Sequence, residues 1–149
     1  MARAGYIPVA RDWHGGWETT LSGQLFETSF AEGELPAVRQ RLTGIARACG
    51  LDPDEAYDWV IAVNELMANA IRHGGGCGDL RVWRDRELCC EVRDKGPGFA
   101  AAQYVLPRER PTPSANGGMG LWIAQRMTRR MEIESSPTGT TIVIRTPLP

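Results

Sequence analysis

The chain has 149 residues, of which 42% are hydrophobic and 23% are charged, and this size and balance suit one globular domain. Its 17 Lys and Arg nearly balance its 18 Asp and Glu, so it lacks the basic excess typical of proteins that bind nucleic acid directly. No run approaches the ~20 apolar residues of a membrane span, and the N-terminus lacks a signal-peptide pattern. We therefore expect a soluble cytoplasmic protein that binds neither nucleic acid nor a membrane.

The first 16 residues contain glycine and proline without periodicity, which predicts a flexible N-terminal tail ahead of a single domain over 17–149. Partial alternation of apolar and polar residues over 17–30 then predicts one or two strands. Leu21, Leu25 and Phe26 are the apolar residues of this stretch that we expect to face inward.

Two helices follow in the pattern. Apolar residues that recur every three or four positions predict the first between Gly33 and Gly50. Asp52 suits the N-cap of the second, and Pro53 suits its first helical position. This helix is predicted to run to about His73, where three successive glycines end it.

The C-terminal half predicts strands over 80–84 and 88–93, a helix over 119–130 and a hairpin of strands over 131–135 and 140–146. The segment 95–117 is rich in proline and glycine and predicts a long lid or binding loop. Hairpins without β-α-β alternation indicate an α+β fold. We expect a two-layer α/β sandwich with helices on one face of a mixed, mainly antiparallel sheet.

The basic runs and the cysteines have structural explanations. The runs 81–86 and 126–130 are interrupted by apolar residues, which predicts the outer faces of a strand and a helix. The four cysteines contain no C-x-x-C pair and accompany only two histidines, so no structural zinc site is expected. Cys89 and Cys90 are adjacent, so in a strand they point to opposite faces.

The first candidate for chemistry is the pair Glu65 and Asn69, which share one face of the second helix. The asparagine amide oxygen suits Mg²⁺, and the glutamate could accept a proton from an attacking hydroxyl or water. Taken alone, the pair is also compatible with an ordinary solvated edge. The apolar stripe that it flanks consists of Trp59, Val63, Leu66 and Ala70.

The second candidate is the segment Asp94-Lys95-Gly96-Pro97-Gly98, in which a strand ends in an acid and two glycines follow. Glycine permits close approach of a ligand, and a carboxylate there could accept a hydrogen bond from an exocyclic amine such as that of adenine. Asp, Gly and Pro are also common in simple turns, so a turn without a ligand is the alternative.

Two further glycine motifs lie nearer the C-terminus. Gly117-Gly118-Met119-Gly120-Leu121 opens a helix whose free N–H groups suit phosphate, although it fits neither the P-loop nor the dinucleotide pattern. Gly139-Thr140-Thr141 offers hydroxyl groups that could bond a base edge. A helix start after a loop and a hairpin turn are the respective alternatives.

In this order, the four motifs resemble the GHKL ATPase superfamily, which includes gyrase, histidine kinases and MutL. Glu65 and Asn69 match its N box, 94–98 match its D-x-G-x-G box, and 118–121 match its second glycine box. The stretches 65–74 and 117–123 more narrowly resemble bacterial anti-sigma-factor serine kinases of the RsbW and SpoIIAB type. The resemblance covers about residues 20–146.

The resemblance implies the Bergerat ATP-binding fold, with ATP and Mg²⁺ as cofactors. Glu65 would be the general base, and Asn69 would bind both Mg²⁺ and the nucleotide. Asp94 would accept from the adenine amine, with Gly96 and Gly98 in the same box. The remaining nucleotide contacts would come from His73 near the phosphates, Gly118, Met119, Gly120 and Leu121 around the phosphates, and Thr140 beside the base.

The implied activity is that of a protein-serine kinase that phosphorylates an anti-anti-sigma protein of the STAS type, sequesters a sigma factor, or does both. Members of this family often form homodimers. The alternative is a non-catalytic binding module that changes partners with the bound nucleotide. No separate phosphoacceptor histidine is evident, because His73 lies inside the N box.

Overall fold

The computed structural model describes residues 23–98 and 118–149. The predicted tail 1–16, the residues before Gly23 and the loop 99–117 lie outside this range. A single 3₁₀ turn, Glu32–Glu34, follows the first strand. The described elements are β1 (Gln24–Ala31), α1 (Leu35–Ala48), α2 (Pro53–His73), β2 (Cys77–Arg84), β3 (Glu87–Asp94), α3 (Gly118–Arg126), β4 (Arg130–Ser136) and β5 (Gly139–Pro147).

The strands form one five-stranded sheet in the order β1-β2-β3-β5-β4, and each described pairing is antiparallel. The helices pack together and against one face of this sheet. The predicted two-layer α+β sandwich is therefore confirmed. The hairpin of β4 and β5 places β5 beside β3, so that Asp94 at the end of β3 lies opposite Thr140.

The second helix begins where local chemistry predicts it. The Asp52 side chain accepts from the backbone N–H of Glu55 at 2.8 Å, and the Glu55 carboxylate accepts from the backbone N–H of Asp52 at 3.2 Å. This reciprocal capping box satisfies two of the N–H groups that a helix start leaves unpaired. Pro53 occupies the first helical turn, where its missing N–H costs nothing.

The apolar stripe of α2 forms the middle of the core. Trp59, Val63 and Leu66 are fully buried, and Ala70 is almost so. Burying a large apolar side chain stabilises the fold by about 1.5–3 kcal/mol, so this stripe fixes which face of α2 meets the sheet. The buried sheet residues in the same core are Leu80, Val82, Leu88, Cys90, Val92, Ile142 and Ile144.

Two expectations about element ends and faces were wrong. The third helix ends at Arg126 rather than 130, because the Arg129 N–H already donates to the Arg145 carbonyl at 3.2 Å and Arg130 begins β4. Leu25 is 39% exposed, because the register of β1 shifts between Gln24 and Phe26 and Leu25 does not join the helix-side core.

The second face of the sheet also differs from expectation. The sequence placed Arg81 on the outer face of a strand; it does lie on the face away from the helices, but it is 0% exposed there. It lies opposite Glu27 on one neighbouring strand and Glu91 on the other, so acidic and basic side chains alternate across the sheet. Such cross-strand pairs of opposite charge favour this register.

Apolar residues accompany these charges on the second face. Trp83, Cys89 and Val143 form a separate buried cluster there, whereas Cys90 belongs to the helix-side core. The predicted opposite orientation of Cys89 and Cys90 is therefore confirmed. None of the helices in the described ranges is long and apolar enough to cross a bilayer.

Candidate nucleotide-binding site

Asp94 ends β3 and is only 7% exposed. Its Oδ1 accepts from the Gly96 backbone N–H at 2.9 Å, and the Thr140 backbone N–H also bonds the carboxylate. Burial raises the pKa of Asp94, and the two hydrogen bonds and the neighbouring His73 offset part of that rise. The Asp94 carboxylate is therefore fixed in position and shielded from water, and it can accept a hydrogen bond from a buried amine.

The end of α2 lies directly against this carboxylate. A Cβ on Gly74 would come within 2.3 Å of the Asp94 Cγ, and a Cβ on Gly96 within 2.4 Å of the Gly74 Cα. Both contacts are far shorter than side chains allow, so glycine at both positions is required for this packing. The sequence predicted Gly74 only as a helix stop, and its role as a packing partner of Asp94 was missed.

Gly98 lies against the hairpin of β4 and β5. Its φ of +75° is the left-handed conformation that favours glycine. A Cβ there would approach the Ser136 carbonyl oxygen to 2.1 Å and the Ser135 Oγ to 2.8 Å. The D-x-G-x-G segment 94–98 thus packs against β4 as well as against α2.

Ser135 joins this arrangement through a second contact. Its Oγ lies 2.9 Å from the Thr140 Oγ1, across the β4–β5 pairing. Sequence reasoning missed Ser135, although the predicted hairpin contained the signal. Counting back from Thr140 across the turn at 136–139 pairs it with Ser135.

Three polar residues lie four positions apart along α2, between α3 and Asp94. Glu65 is half-buried, and its Oε2 lies 2.8 Å from the place a Cβ on Gly120 would occupy. Asn69 follows one turn later and is 6% exposed. His73 lies another turn along, and its Nε2 is buried without a hydrogen-bond partner among the described residues.

The start of α3 supplies the remaining predicted groups. Gly118 begins this helix, so the first N–H groups, including those of Met119 and Gly120, have no partner within the helix itself. The Leu121 side chain is 2% exposed in the core, which leaves its backbone N–H for any ligand contact. The structure does not describe the Met119 side chain.

These groups fit an elongated ligand with a base at one end and phosphates at the other. Eight residues separate Glu65 from His73, which is about 12 Å along a helix axis. The buried Asp94 carboxylate provides an acceptor at one end, and the N-terminus of α3 provides anion-binding N–H groups at the other. The buried His73 Nε2, which has no hydrogen-bond partner among the described residues, lies at the Asp94 end, whereas the family resemblance predicted it near the phosphates; it suits an additional polar partner there.

The residues also suit Mg²⁺ that arrives with phosphates. Within 23–98 and 118–149, no three His, Cys, Asp or Glu side chains are grouped closely enough to hold a metal ion. Mg²⁺ commonly takes one or two protein oxygens and completes its shell with phosphate and water oxygens. Asn69 offers such an oxygen between the α3 start and Asp94.

Comparison with known proteins agrees with this geometry. A profile of the histidine kinase-like ATPase domain matches residues 28–146. The chain belongs to this family. The match spans α2, α3 and the β4–β5 hairpin, and hence the GHKL motifs inferred from the sequence.

Similar proteins with assigned names show which members of this family the chain resembles. The serine-protein kinase RsbW of Bacillus velezensis is 28% identical over 135 residues, which cover 77% of this chain and 83% of the relative. The RsbW proteins of Bacillus pumilus and Bacillus subtilis are 30% and 29% identical, each covering 72% of this chain and 74% of the relative. The chain is thus an ATPase-domain protein of the RsbW-like, GHKL type.

A solved structure supports the fold. The crystal structure of the RsbU and RsbW domains of a Mycobacterium tuberculosis protein superposes with a TM-score of 0.56 at 18% identity. The likeness covers 83% of this chain and 33% of that longer one. At this identity, it bears on the architecture alone.

Proposed function

We propose that this protein binds ATP with Mg²⁺ and transfers the terminal phosphate to a serine of a partner protein. The carrying observation is the line of Glu65, Asn69 and His73 along α2, which leads from the start of α3 to the buried Asp94. The RsbW relatives, which are named serine-protein kinases, support the same reaction class.

Phosphoryl transfer depends mainly on positioning and charge neutralisation. In this proposal Asp94 holds the adenine amine, and the α3 N–H groups, with Gly118 and Gly120, hold the phosphates. Bound Mg²⁺ would neutralise phosphate charge while held through Asn69.

Glu65 has the proton-accepting role. It lies beside the first turn of α3, so a phosphate held there would be close to its carboxylate. A serine hydroxyl that enters between them could lose its proton to Glu65 as its oxygen bonds the terminal phosphorus of ATP, while the bond from that phosphorus to the β-phosphate oxygen breaks and ADP leaves.

The partner in this proposal is an anti-anti-sigma protein of the STAS type, a sigma factor, or both in alternation. Phosphorylating one partner would change which partner is bound, and transcription would be regulated by this exchange. A cytoplasmic location and a homodimeric state belong to the same proposal.

Nucleotide binding is the first test. We expect isothermal titration calorimetry to show ATP and ADP binding by the wild type and a loss of both in Asp94→Asn. Asn69→Ala should bind with a weakened dependence on Mg²⁺. If the wild type binds no adenine nucleotide, the proposal is wrong.

Transfer is the second test. With radiolabelled ATP and a purified STAS-type protein, we expect labelling of a serine that Glu65→Gln slows by about 10²–10⁴-fold, while ADP binding is retained. Asp54→Asn, an exposed acid in the first turn of α2, is the matched control and should label normally. Nucleotide-dependent partner binding without labelling would instead favour the non-catalytic module.

A further inference from the structure

Ser135 contacts two of the residues around the proposed base pocket. Its Oγ lies 2.9 Å from the Thr140 Oγ1, and Gly98 packs so closely on it that a Cβ there would come within 2.8 Å. Thr140 in turn donates its backbone N–H to the Asp94 carboxylate. Ser135 therefore contacts both the hydroxyl of Thr140 and Gly98, the last glycine of the D-x-G-x-G segment that begins at Asp94.

The hydroxyl of Thr140 has only one hydrogen to donate. Thr140 is 2% exposed, so water does not readily orient this hydroxyl, and the short contact with Ser135 constrains where its hydrogen points. When Ser135 donates to Thr140, the Thr140 hydrogen is directed away from Ser135 and is available to another acceptor.

The direction of that hydrogen matters because the two purine bases present opposite patterns. Adenine carries an amine donor beside a ring-nitrogen acceptor on its pairing edge, whereas guanine carries a carbonyl acceptor beside an N–H donor. When it is ionised, the Asp94 carboxylate can accept hydrogen bonds but cannot donate one. An ionised acid beside a hydroxyl that donates matches adenine and leaves guanine with two mismatched groups.

We propose that Ser135 is a positioning residue that orients the Thr140 hydroxyl as a donor and thereby selects adenine over guanine nucleotides. This inference rests on the proposed nucleotide-binding function. It adds a specificity determinant on β4, outside the motif residues on α2, β3 and α3.

The test compares ADP and GDP affinities by calorimetry for the wild type, Ser135→Ala and Ser136→Ala. The control removes a neighbouring hydroxyl that bonds Thr138 Oγ1 at 2.9 Å within the turn rather than Thr140. We expect Ser135→Ala to weaken ADP binding by about 2- to 10-fold, the effect of one hydrogen bond, without weakening GDP binding. The ADP-over-GDP preference should fall by that factor, and Ser136→Ala should keep the wild-type preference.

A double-mutant cycle tests whether Ser135 acts through Thr140. Adding Ser135→Ala to Thr140→Val should cause no further loss of preference, because the hydroxyl that Ser135 orients is already absent. Ser135→Thr retains a hydroxyl and should restore most of the preference, which also covers the case in which Ser135→Ala fails to fold.

Three results would overturn the inference. They are an unchanged preference in Ser135→Ala, an equal loss for ADP and GDP, which indicates a purely structural role, and additive effects in the cycle. A wild type that binds no adenine nucleotide removes the proposed function itself, and the inference with it, so the two failures are distinguishable.

Discussion

The two faces of the sheet are both buried, but they are buried by different chemistry. On the helix side, Leu80, Val82 and Ile144 pack against the apolar stripe of α2. On the other side, Arg81 and Glu91 are fully buried beside a small apolar cluster. Apolar burial depends on area and packing, whereas buried charge depends on keeping each group with its partners. The difference teaches that alternation along a strand predicts which residues share a face of the sheet, but not whether each face is buried or exposed to solvent.

The largest expected effect separates these two kinds of burial. Arg81→Met alone should lower the free energy of unfolding by about 3–5 kcal/mol, because it leaves the opposed Glu91 buried without this partner. Arg81→Met combined with Glu91→Leu should recover most of that loss, because both charges are gone. Urea unfolding followed by circular dichroism measures both. A double variant as unstable as the single one would mean that the charges are not coupled.

The helix side should respond to lost volume instead. Leu66→Ala is expected to lower the free energy of unfolding by about 2–5 kcal/mol, because Leu66 is fully buried and its removal leaves a cavity. Leu25→Ala is the matched control, since Leu25 is 39% exposed and should cost far less. Equal costs in chemical denaturation would contradict the assigned core.

The reactivity of the cysteine thiols allows the two faces of the sheet to be compared in the wild-type protein, without substitutions in either face. Burial raises the pKa of the Cys89 thiol to about 12, and burial likewise raises that of Cys90 well above its usual value. Cys77 is exposed. At pH 8 we expect iodoacetamide to modify Cys77 rapidly, while Cys89 and Cys90 react only after unfolding.

Mass spectrometry of the alkylated peptides follows this order directly. Cys77→Ser should remove the rapid phase and leave the slow one unchanged. Rapid native labelling of Cys89 would show that the second face opens readily to solvent, which would distinguish it from the helix side.

The smallest expected effect is a pH dependence at the end of β3. Burial raises the pKa of Asp94, so the nucleotide-free folded state holds this proton more tightly than the unfolded chain does. The stability that comes from this group is present below the usual carboxyl pKa and is lost as the pH rises through the raised one. Relative to wild type, Asp94→Asn should therefore gain stability with rising pH while it loses nucleotide binding. Parallel stability curves over about pH 4–8 would contradict this assignment.

Local signals in the sequence predicted most of the secondary structure and the motif residues. The Asp52–Glu55 capping box and the four-residue spacing of Glu65 and Asn69 depend on contacts within one helix, so neighbouring residues are enough to specify them. The end of α3 was predicted four residues too late, because helix propensity beyond Arg126 yields to pairing of the next strand with β5 in the β4–β5 hairpin.

The sequence by itself thus determined the elements, the α+β class and the candidate nucleotide-binding residues, because periodicity, caps and glycine motifs act over a few neighbouring positions. Only the tertiary structure decided the contacts that complete the site. The Gly74–Gly96 approach and the packing of Gly98 on Ser135 join separate elements, and the burial of Arg81 depends on its cross-strand neighbours. Such contacts follow from the order and register of the strands in the sheet, which are set by packing of the whole domain.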